Sequence, residues 1–295
     1  MKVSVLLITY NHENYIIDAI NSILMQKFDG LLEIVVVDDA STDKTLDLLS
    51  TELQNISNVR IHKNEINLGI TKNYQKGFSL CKGKYIVVLE GDDYWIDPNK
   101  VKKQVDFLEE NPFCAMCFHP FILQNGDLPD FDNGFKNANA TYSDLFSMKD
   151  ILLNEGLIAN FSVCAYRKSA LERLPPELFE VTSYDWIINI SIAQFGFLGR
   201  INTPMSVYRW APSGTWASKS ATDRLNATLE LLPVYDKILN YKFSHLFSLK
   251  IQTLKSQIQT AETSEGKSIR SFLPPFLISI VKAVVPPFFL KVLKN

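Results

Sequence analysis

Four short apolar runs near the N-terminus constrain this chain more than any other feature. VSVLLIT (3 to 9), EIVVVDD (33 to 39), NVRIHK (58 to 63) and KYIVVLE (84 to 90) are rich in Val and Ile. Near-continuous apolar character at that length marks strands buried on both faces. Helix-length segments separate them at 13 to 26, 43 to 53 and 69 to 81, and in the first of these Tyr15, Ile16, Ala19, Ile20, Ile23 and Leu24 recur at spacings of three and four. That spacing places an apolar stripe on one helix face. Alternation of this kind predicts right-handed crossovers and an α/β fold, a mainly parallel, doubly wound sheet flanked by helices. Ligands of such sheets bind outside the carboxyl ends of the strands. The segments Thr9 to Glu13, Asp38 to Asp43 and Glu90 to Trp95 therefore converge on one crevice.

The last of these segments raises a chemical question. LEGDDYW places Glu90, Asp92 and Asp93 within four positions directly after a buried strand. Three such carboxylates repel one another unless a cation or strong hydrogen-bond donors offset them, and a bound metal is the simplest answer. Other chemistries find no support. No G-x-G-x-x-G follows the first strand and no P-loop sequence occurs. With 30 Lys plus Arg against 32 Asp plus Glu, the net charge of −2 offers nucleic acid no general attraction. Cys81, Cys114, Cys117 and Cys164 lie in apolar stretches; Cys114 and Cys117 form a C-x-x-C without a second pair, in FCAMCF, which reads as a strand. They are expected to be reduced core thiols, and the opening MKVSVLLITYNHENY lacks the pattern of a signal peptide, so a cytoplasmic protein is expected.

Taken in order, TYN (9 to 11), VVVDDASTD (35 to 43), NLGITKNYQKGFSLCKGKYIVVLEGDDYW (67 to 95) and SVYR (206 to 209) resemble the family 2 inverting glycosyltransferases of bacterial surface-polysaccharide synthesis. The likeness covers about the first 217 residues. It implies a GT-A fold and a nucleotide-sugar donor, a UDP-sugar being favoured. Carried over residue by residue, it assigns Thr9, Tyr10, Asn11, Glu13, Asp39, Lys72, Glu90, Gly91 and Arg209 to the nucleotide sugar, and Asp92 with Asp93 to Mg²⁺ or Mn²⁺. Two positions depart from the family pattern: Glu90 stands where an Asp is usual, and Ala211 where relatives often have His, which leaves Arg209 with Ser213 or Trp216 for the loop over the diphosphate.

The chemistry suits these residues. Cleavage of the bond between the anomeric carbon and a nucleoside diphosphate builds negative charge on the leaving group as the sugar becomes oxocarbenium-like, and a cation there offsets it. Mg²⁺ or Mn²⁺ suits one or two carboxylates together with phosphate oxygens and water. An inverting transferase also needs a base for the acceptor hydroxyl. In TSYDWIINISIAQFG (182 to 196), Trp186, Ile187, Ile190 and Ala193 form a helical stripe with Asp185 at its start. Asp185 resembles the family's base, and Glu180 is the alternative. Ser41, Thr42 or Asp43 is expected to cap the helix at 43 to 53.

The expected organisation is a nucleotide-sugar half (1 to 105), an acceptor half (106 to 217) and a helical C-terminal extension (218 to 295). An Asn-, Asp- and Gly-rich stretch at 124 to 147 reads as a long loop on the acceptor side. Helices are expected at 221 to 240 and 243 to 262. Beyond them FLISIVKAVV, between two proline pairs, is too short to cross a bilayer and is expected, within 267 to 295, to lie on the inner face of the cell membrane; packing on the protein or in a homo-oligomer is the alternative. The partners expected are the donor and a glycan or polyprenyl-linked acceptor. The competing readings are a nucleotidyltransferase, disfavoured by the lack of a Gly-rich basic loop, and an inactive GT-A scaffold within a polysaccharide-synthesis complex.

Overall fold

The structure, a computed structural model, describes residues 2–124, 135–136, 145–154, 158, 160–210 and 220–272. The N-terminal apolar runs form β1 (Lys2–Thr9), β2 (Leu31–Asp38), β3 (Val59–Lys63) and β4 (Tyr85–Glu90), separated by α1 (Ile16–Leu24), α2 (Thr45–Leu53) and α3 (Ile70–Leu80). All four strands are parallel, in the order β3-β2-β1-β4. The period of two along each strand divides the core. Leu6, Ile8, Val35, Val37, Ile86 and Val88 face one layer of apolar side chains, while Val3, Val5, Leu7, Ile34, Val36, Val87 and Leu89 face the other. Helices therefore have to cover both faces. On α1, Ile16, Ala19, Ile20 and Ile23 are the buried stripe that does so.

The chain continues through β5 (Tyr94–Trp95), α4 (Lys100–Glu110), β6 (Cys114–Phe118), β7 (Phe121–Gln124), β8 (Phe135–Lys136), β9 (Leu145–Phe146), α5 (Met148–Leu153), β10 (Ala165–Arg167), α6 (Lys168–Leu171), α7 (Asp185–Ile192), β11 (Phe197–Arg200) and β12 (Ser206–Arg209). β10 joins β4 antiparallel, and the sheet runs on through β6 and β11 to β9. One eight-stranded sheet thus crosses the division expected at 105/106, which falls inside α4. The segments on either side of that division are one structural unit. A second, four-stranded sheet, β5-β12-β7-β8, pairs the strand directly after the acidic turn with the SVYR strand. Cys114 and Cys117 lie in β6, buried, as are Cys81 and Cys164. Burial pushes the Cys114 thiol up to about 11, so it behaves as an apolar group.

α8 (Ala221–Ile238) and α9 (Ser244–Phe272) follow. Leu232, Tyr235, Leu239, Leu246, Phe247 and Leu254 are buried in the same core layer as α7, and Tyr235 donates its hydroxyl hydrogen to the Thr182 carbonyl three residues before α7. Lys250 lies over the Trp186 ring. The first part of the C-terminal extension is a buttress for α7. Ala211, Ser213, Trp216, most of the 124 to 147 stretch and the apolar tail beyond 272 lie outside the described residues.

Candidate active site

The strand order reverses between β1 and β4, since β2 and β3 lie on one side of β1 and β4 on the other. The carboxyl ends of those two strands therefore border the open crevice of the sheet. Thr9 ends β1, and Glu90 ends β4 opposite Ile8. The Gly91 amide donates to the Ile8 carbonyl at 2.8 Å, holding the turn against β1. A Cβ on Gly91 would lie 2.7 Å from Thr9 Oγ1 and 2.6 Å from His12 Nδ1, so only glycine fits there.

The loop after β1 is clamped to the loop after β2. The Asn11, His12 and Glu13 amides donate to Ser41 Oγ, Thr45 Oγ1 and Asp43 Oδ2 at 2.8 to 3.0 Å. In return, Asn11 Oδ1 and Glu13 Oε2 accept from the Thr42 and Lys44 amides. Asn11 takes a left-handed φ of 54°, which turns the chain toward the crevice. This clamp is why α1 begins at Ile16 rather than near 13. It gives Asn11 and Glu13 a scaffolding task that the family resemblance did not imply, while Tyr10 stays exposed. The N-cap of α2 is Lys44, which makes no side-chain cap bond, and Asp43 before it accepts from the Thr45 amide at 2.9 Å.

The three acids of the EGDD turn have different surroundings. Glu90 accepts from the Tyr74 hydroxyl at 3.0 Å. Burial, followed by the charges of Asp92, Asp93 and Asp185, raises its pKa well above the usual carboxylate range. Asp93 is fully buried: Oδ2 accepts from Ser162 Oγ at 2.6 Å and Asn160 Nδ2 at 3.1 Å, and Oδ1 from the Arg209 amide at 3.0 Å. Both oxygens accept hydrogen bonds, and through them Asp93 latches the acidic turn to β12. Among the described residues, the Asp92 carboxylate accepts no hydrogen bond; it is 35% exposed, with His12 Nε2 4.0 Å away. Asp92 is the least engaged acid of the turn.

Arg209 and Lys72 also differ from expectation. The Arg209 guanidinium donates to the Asp92 carbonyl at 3.0 Å, pairs with Asp18 and lies 4.4 Å from the Tyr94 ring centroid. It borders the acidic turn with Nη1 on the Asp92 carbonyl and Nη2 on the exposed carboxylate of Asp18. Lys72, on α3, pairs with Glu180. Both side chains of that pair are at least a third exposed.

Asp185 sits in the first turn of α7, accepting from the Trp186 amide, and burial pushes its carboxyl up to about 7. Its position is over-determined. Thr71 Oγ1 donates to the Ser183 carbonyl and accepts from the Ser183 amide, at 3.0 and 2.9 Å. Tyr166 donates to Asn189 Oδ1 at 2.6 Å, and Trp186 Nε1 to the Ile151 carbonyl at 3.1 Å. The Asp185 charge acts on Glu90, Tyr74 and Tyr208, which places it in the electrostatic field of the acidic turn.

The protein-family model for glycosyl transferase family 2 matches residues 4–174. The chain belongs to glycosyl transferase family 2. It is 30% identical over 226 residues to an uncharacterized protein of Mycobacterium tuberculosis, covering 75% of this chain but only 62% of that relative. A putative teichuronic acid biosynthesis glycosyltransferase of Bacillus subtilis is 33% identical over 144 residues, 48% of this chain and 56% of the relative. Among solved structures, TarS (residues 1–349) of Staphylococcus aureus in complex with UDP-GlcNAc superposes with a TM-score of 0.64 at 20% identity, covering 81% of this chain and 66% of that one. A mannosyltransferase of Pyrobaculum calidifontis in complex with GDP-Man and Mn²⁺ gives 0.62 at 18% identity, covering 98% and 82%. These likenesses establish the GT-A fold.

In this family 2 member Asp39 does more than border the crevice. It is buried and accepts from Asn64 Nδ2 at 2.6 Å and from the Leu68 and Gly69 amides at 2.8 and 2.9 Å. It thereby fixes the start of α3, where Gly69 has a φ of 80°. Asp39→Ala removes the acceptor shared by these three donors, of which the Gly69 amide keeps Asn67 Oδ1, so we expect a loss of about 1–2 kcal/mol in denaturant unfolding, alongside weaker UDP binding. Loss of UDP affinity at unchanged stability would contradict the fastening role.

Sequence reasoning passed over His12, Tyr74, Asn160, Ser162 and Asp18. His12 and Asp18 stood within segments already assigned to the strand-end loop and to the first helix; their proximity to Asp92 and Arg209 was the only missing fact. Ser162 and Asn160 had no signal, because no spacing rule links them to Asp93 across 69 and 67 positions.

Proposed function

We propose that this family 2 member is an inverting glycosyltransferase that moves a sugar from a nucleotide-sugar donor, a UDP-sugar, to a glycan or polyprenyl-linked acceptor in cell-surface polysaccharide synthesis. One observation carries the reading: Glu90 and Asp92 stand at the reversal of strand order, and the half-buried Asp185 at the head of α7 carries a charge that acts on Glu90. Solved neighbours hold UDP-GlcNAc, or GDP-Man with Mn²⁺, and the teichuronic acid relative points to the polysaccharide context.

A divalent cation fits the donor set. Among the described residues no group of three His, Cys, Asp or Glu side chains forms a protein cage, yet Asp92 presents a carboxylate without hydrogen bonds. That is the provision Mg²⁺ or Mn²⁺ requires when phosphate oxygens and water complete its shell. When bound, the cation would offset the charge growing on the departing diphosphate.

The protein's residues supply the remainder. Glu90, oriented by Tyr74, faces the donor ribose, and the Thr9 to Glu13 loop with Asp39 borders the nucleotide. Asp185 accepts the proton of the acceptor hydroxyl as that oxygen bonds to the anomeric carbon, and the bond from this carbon to the diphosphate oxygen breaks on the opposite side. One inversion follows. The test is a panel of nucleotide sugars assayed for slow, metal-dependent release of nucleoside diphosphate. Release from one or a few of them is expected; none from any, with or without metal, would favour the scaffold reading.

Among the described residues no helix is long and apolar enough to cross a membrane. We place residues 267 to 295 on the membrane surface, because Lys267, Arg270, Lys282, Lys291 and Lys294 surround an apolar segment of interfacial length. The buried anchors of α9, Leu246, Phe247 and Leu254, all precede the tail. Truncation after Glu265 is therefore expected to move the protein from the membrane fraction to the soluble one while sparing donor hydrolysis. A truncated chain that does not fold would show instead that the tail packs on the protein.

A further inference from the structure

His12 stands at the donor crevice with no task in the mechanism above. Its backbone is fixed by the bond to Thr45 and by the left-handed Asn11 before it. Its ring fills the space that Gly91 leaves by lacking a side chain. Nδ1 lies 3.2 Å from Thr9 Oγ1, and Nε2 faces Asp92 Oδ2 at 4.0 Å. The second distance is too long for a hydrogen bond. It falls instead in the range spanned by two ligands of one small cation, about 3.0 Å for adjacent and about 4.2 Å for opposite positions at bond lengths of ~2.1 Å. With Nδ1–H donating to Thr9, Nε2 carries its lone pair toward the carboxylate, the tautomer and outer hydrogen bond that metal-binding histidines use.

We propose that His12 Nε2 is a direct ligand of the divalent cation that Asp92 holds on the donor diphosphate, and that this imidazole makes the site prefer Mn²⁺ to Mg²⁺. The inference rests on the donor-site reading given under Proposed function. Mg²⁺ is bound through oxygen; Mn²⁺ is also largely oxygen-bound but belongs to the first transition series, whose ions take imidazole more readily than Mg²⁺ does. The β1–α1 loop thus contributes a ligand from the opposite side of the reversal point to the acidic turn, and the cation links the two strand ends.

The test adds Mn²⁺ and UDP to the full chain and reads pulsed electron paramagnetic resonance for coupling to a directly bound imidazole nitrogen. Coupling is expected in the wild type and lost in His12→Gln. Loss of an outer partner alone weakens metal binding by 10–100-fold, so Mn²⁺ affinity in the presence of UDP should fall at least ~10-fold in that variant. His12→Asp should restore binding without the nitrogen signal and shift the preference toward Mg²⁺. The wild-type spectrum decides even where a variant fails to fold. Mn²⁺ that binds with UDP and weakens in Asp92→Asn, yet shows no imidazole coupling, overturns this inference and leaves the donor site standing. No metal-dependent UDP binding at all overturns both.

Discussion

Asp185→Asn is expected to lower sugar transfer by about 10²- to 10⁴-fold, the usual contribution of a positioned general base, while leaving UDP affinity within about twofold of wild type. The substitution keeps the size of the side chain and its place in the first turn of α7 but removes the proton acceptor. Binding and chemistry should therefore separate. Burial raises the native carboxyl from 3.8 to about 7, so wild-type transfer should show an acidic limb with its midpoint near that value, absent from the residual activity of the variant. The same shift sets a stability effect of known sign. An acid whose folded-state pKa is raised penalises the folded state fully above that pKa, and the penalty fades as pH falls toward the unfolded value. Asp185→Asn should therefore melt at a higher temperature than wild type at about pH 8 and at an equal one near pH 4. A variant that retains most of its transfer rate, or a product that keeps the donor's anomeric configuration, would remove Asp185 from the mechanism.

Asp92→Asn is expected to reduce turnover at least ~100-fold, because a cation on the leaving oxygens contributes several kcal/mol and each ~1.4 kcal/mol is tenfold in rate. Stability should respond in the opposite sense to activity. The Asp92 carboxylate accepts no hydrogen bond among the described residues and raises the pKa of Glu90 and Asp93, so removing its charge relieves repulsion. Thermal unfolding should be unchanged or shifted upward. Asp93→Asn is the control. Its carboxylate accepts from Ser162, Asn160 and the Arg209 amide, and an amide in its place puts N–H groups against at least one of those donors. That variant should unfold more readily, by about 1–3 kcal/mol. Full activity of Asp92→Asn in chelator would end the metal assignment, and equal stability of Asp93→Asn and wild type would end the latch.

The strand and helix rhythm of residues 3 to 90, the strand-end crevice and the acidic turn within it were legible without coordinates, because each depends on contacts that the local period already encodes. A run such as YIVVL has to be buried on both faces, and a parallel sheet is what buries it. The placement of Asp185 at the head of a helix was legible for the same reason, from the stripe of Trp186, Ile187, Ile190 and Ala193. What each polar group does at the site was not legible. The EGDD turn reads as one acid for the nucleotide sugar and two for a metal, yet Asp93 accepts from Ser162, Asn160 and the Arg209 amide, Glu90 accepts from Tyr74, and among the described residues the Asp92 carboxylate accepts no hydrogen bond. Arg209 reads as a phosphate fork and is found paired with Asp18, 191 positions away. Side-chain hydrogen bonds and ion pairs have no sequence period, so their partners are settled only when the sheets and helices close on one another. The sequence by itself determined the fold, the crevice and the types of residue that line it; tertiary packing decided which of those residues are spent in holding the site together and which remain free to act.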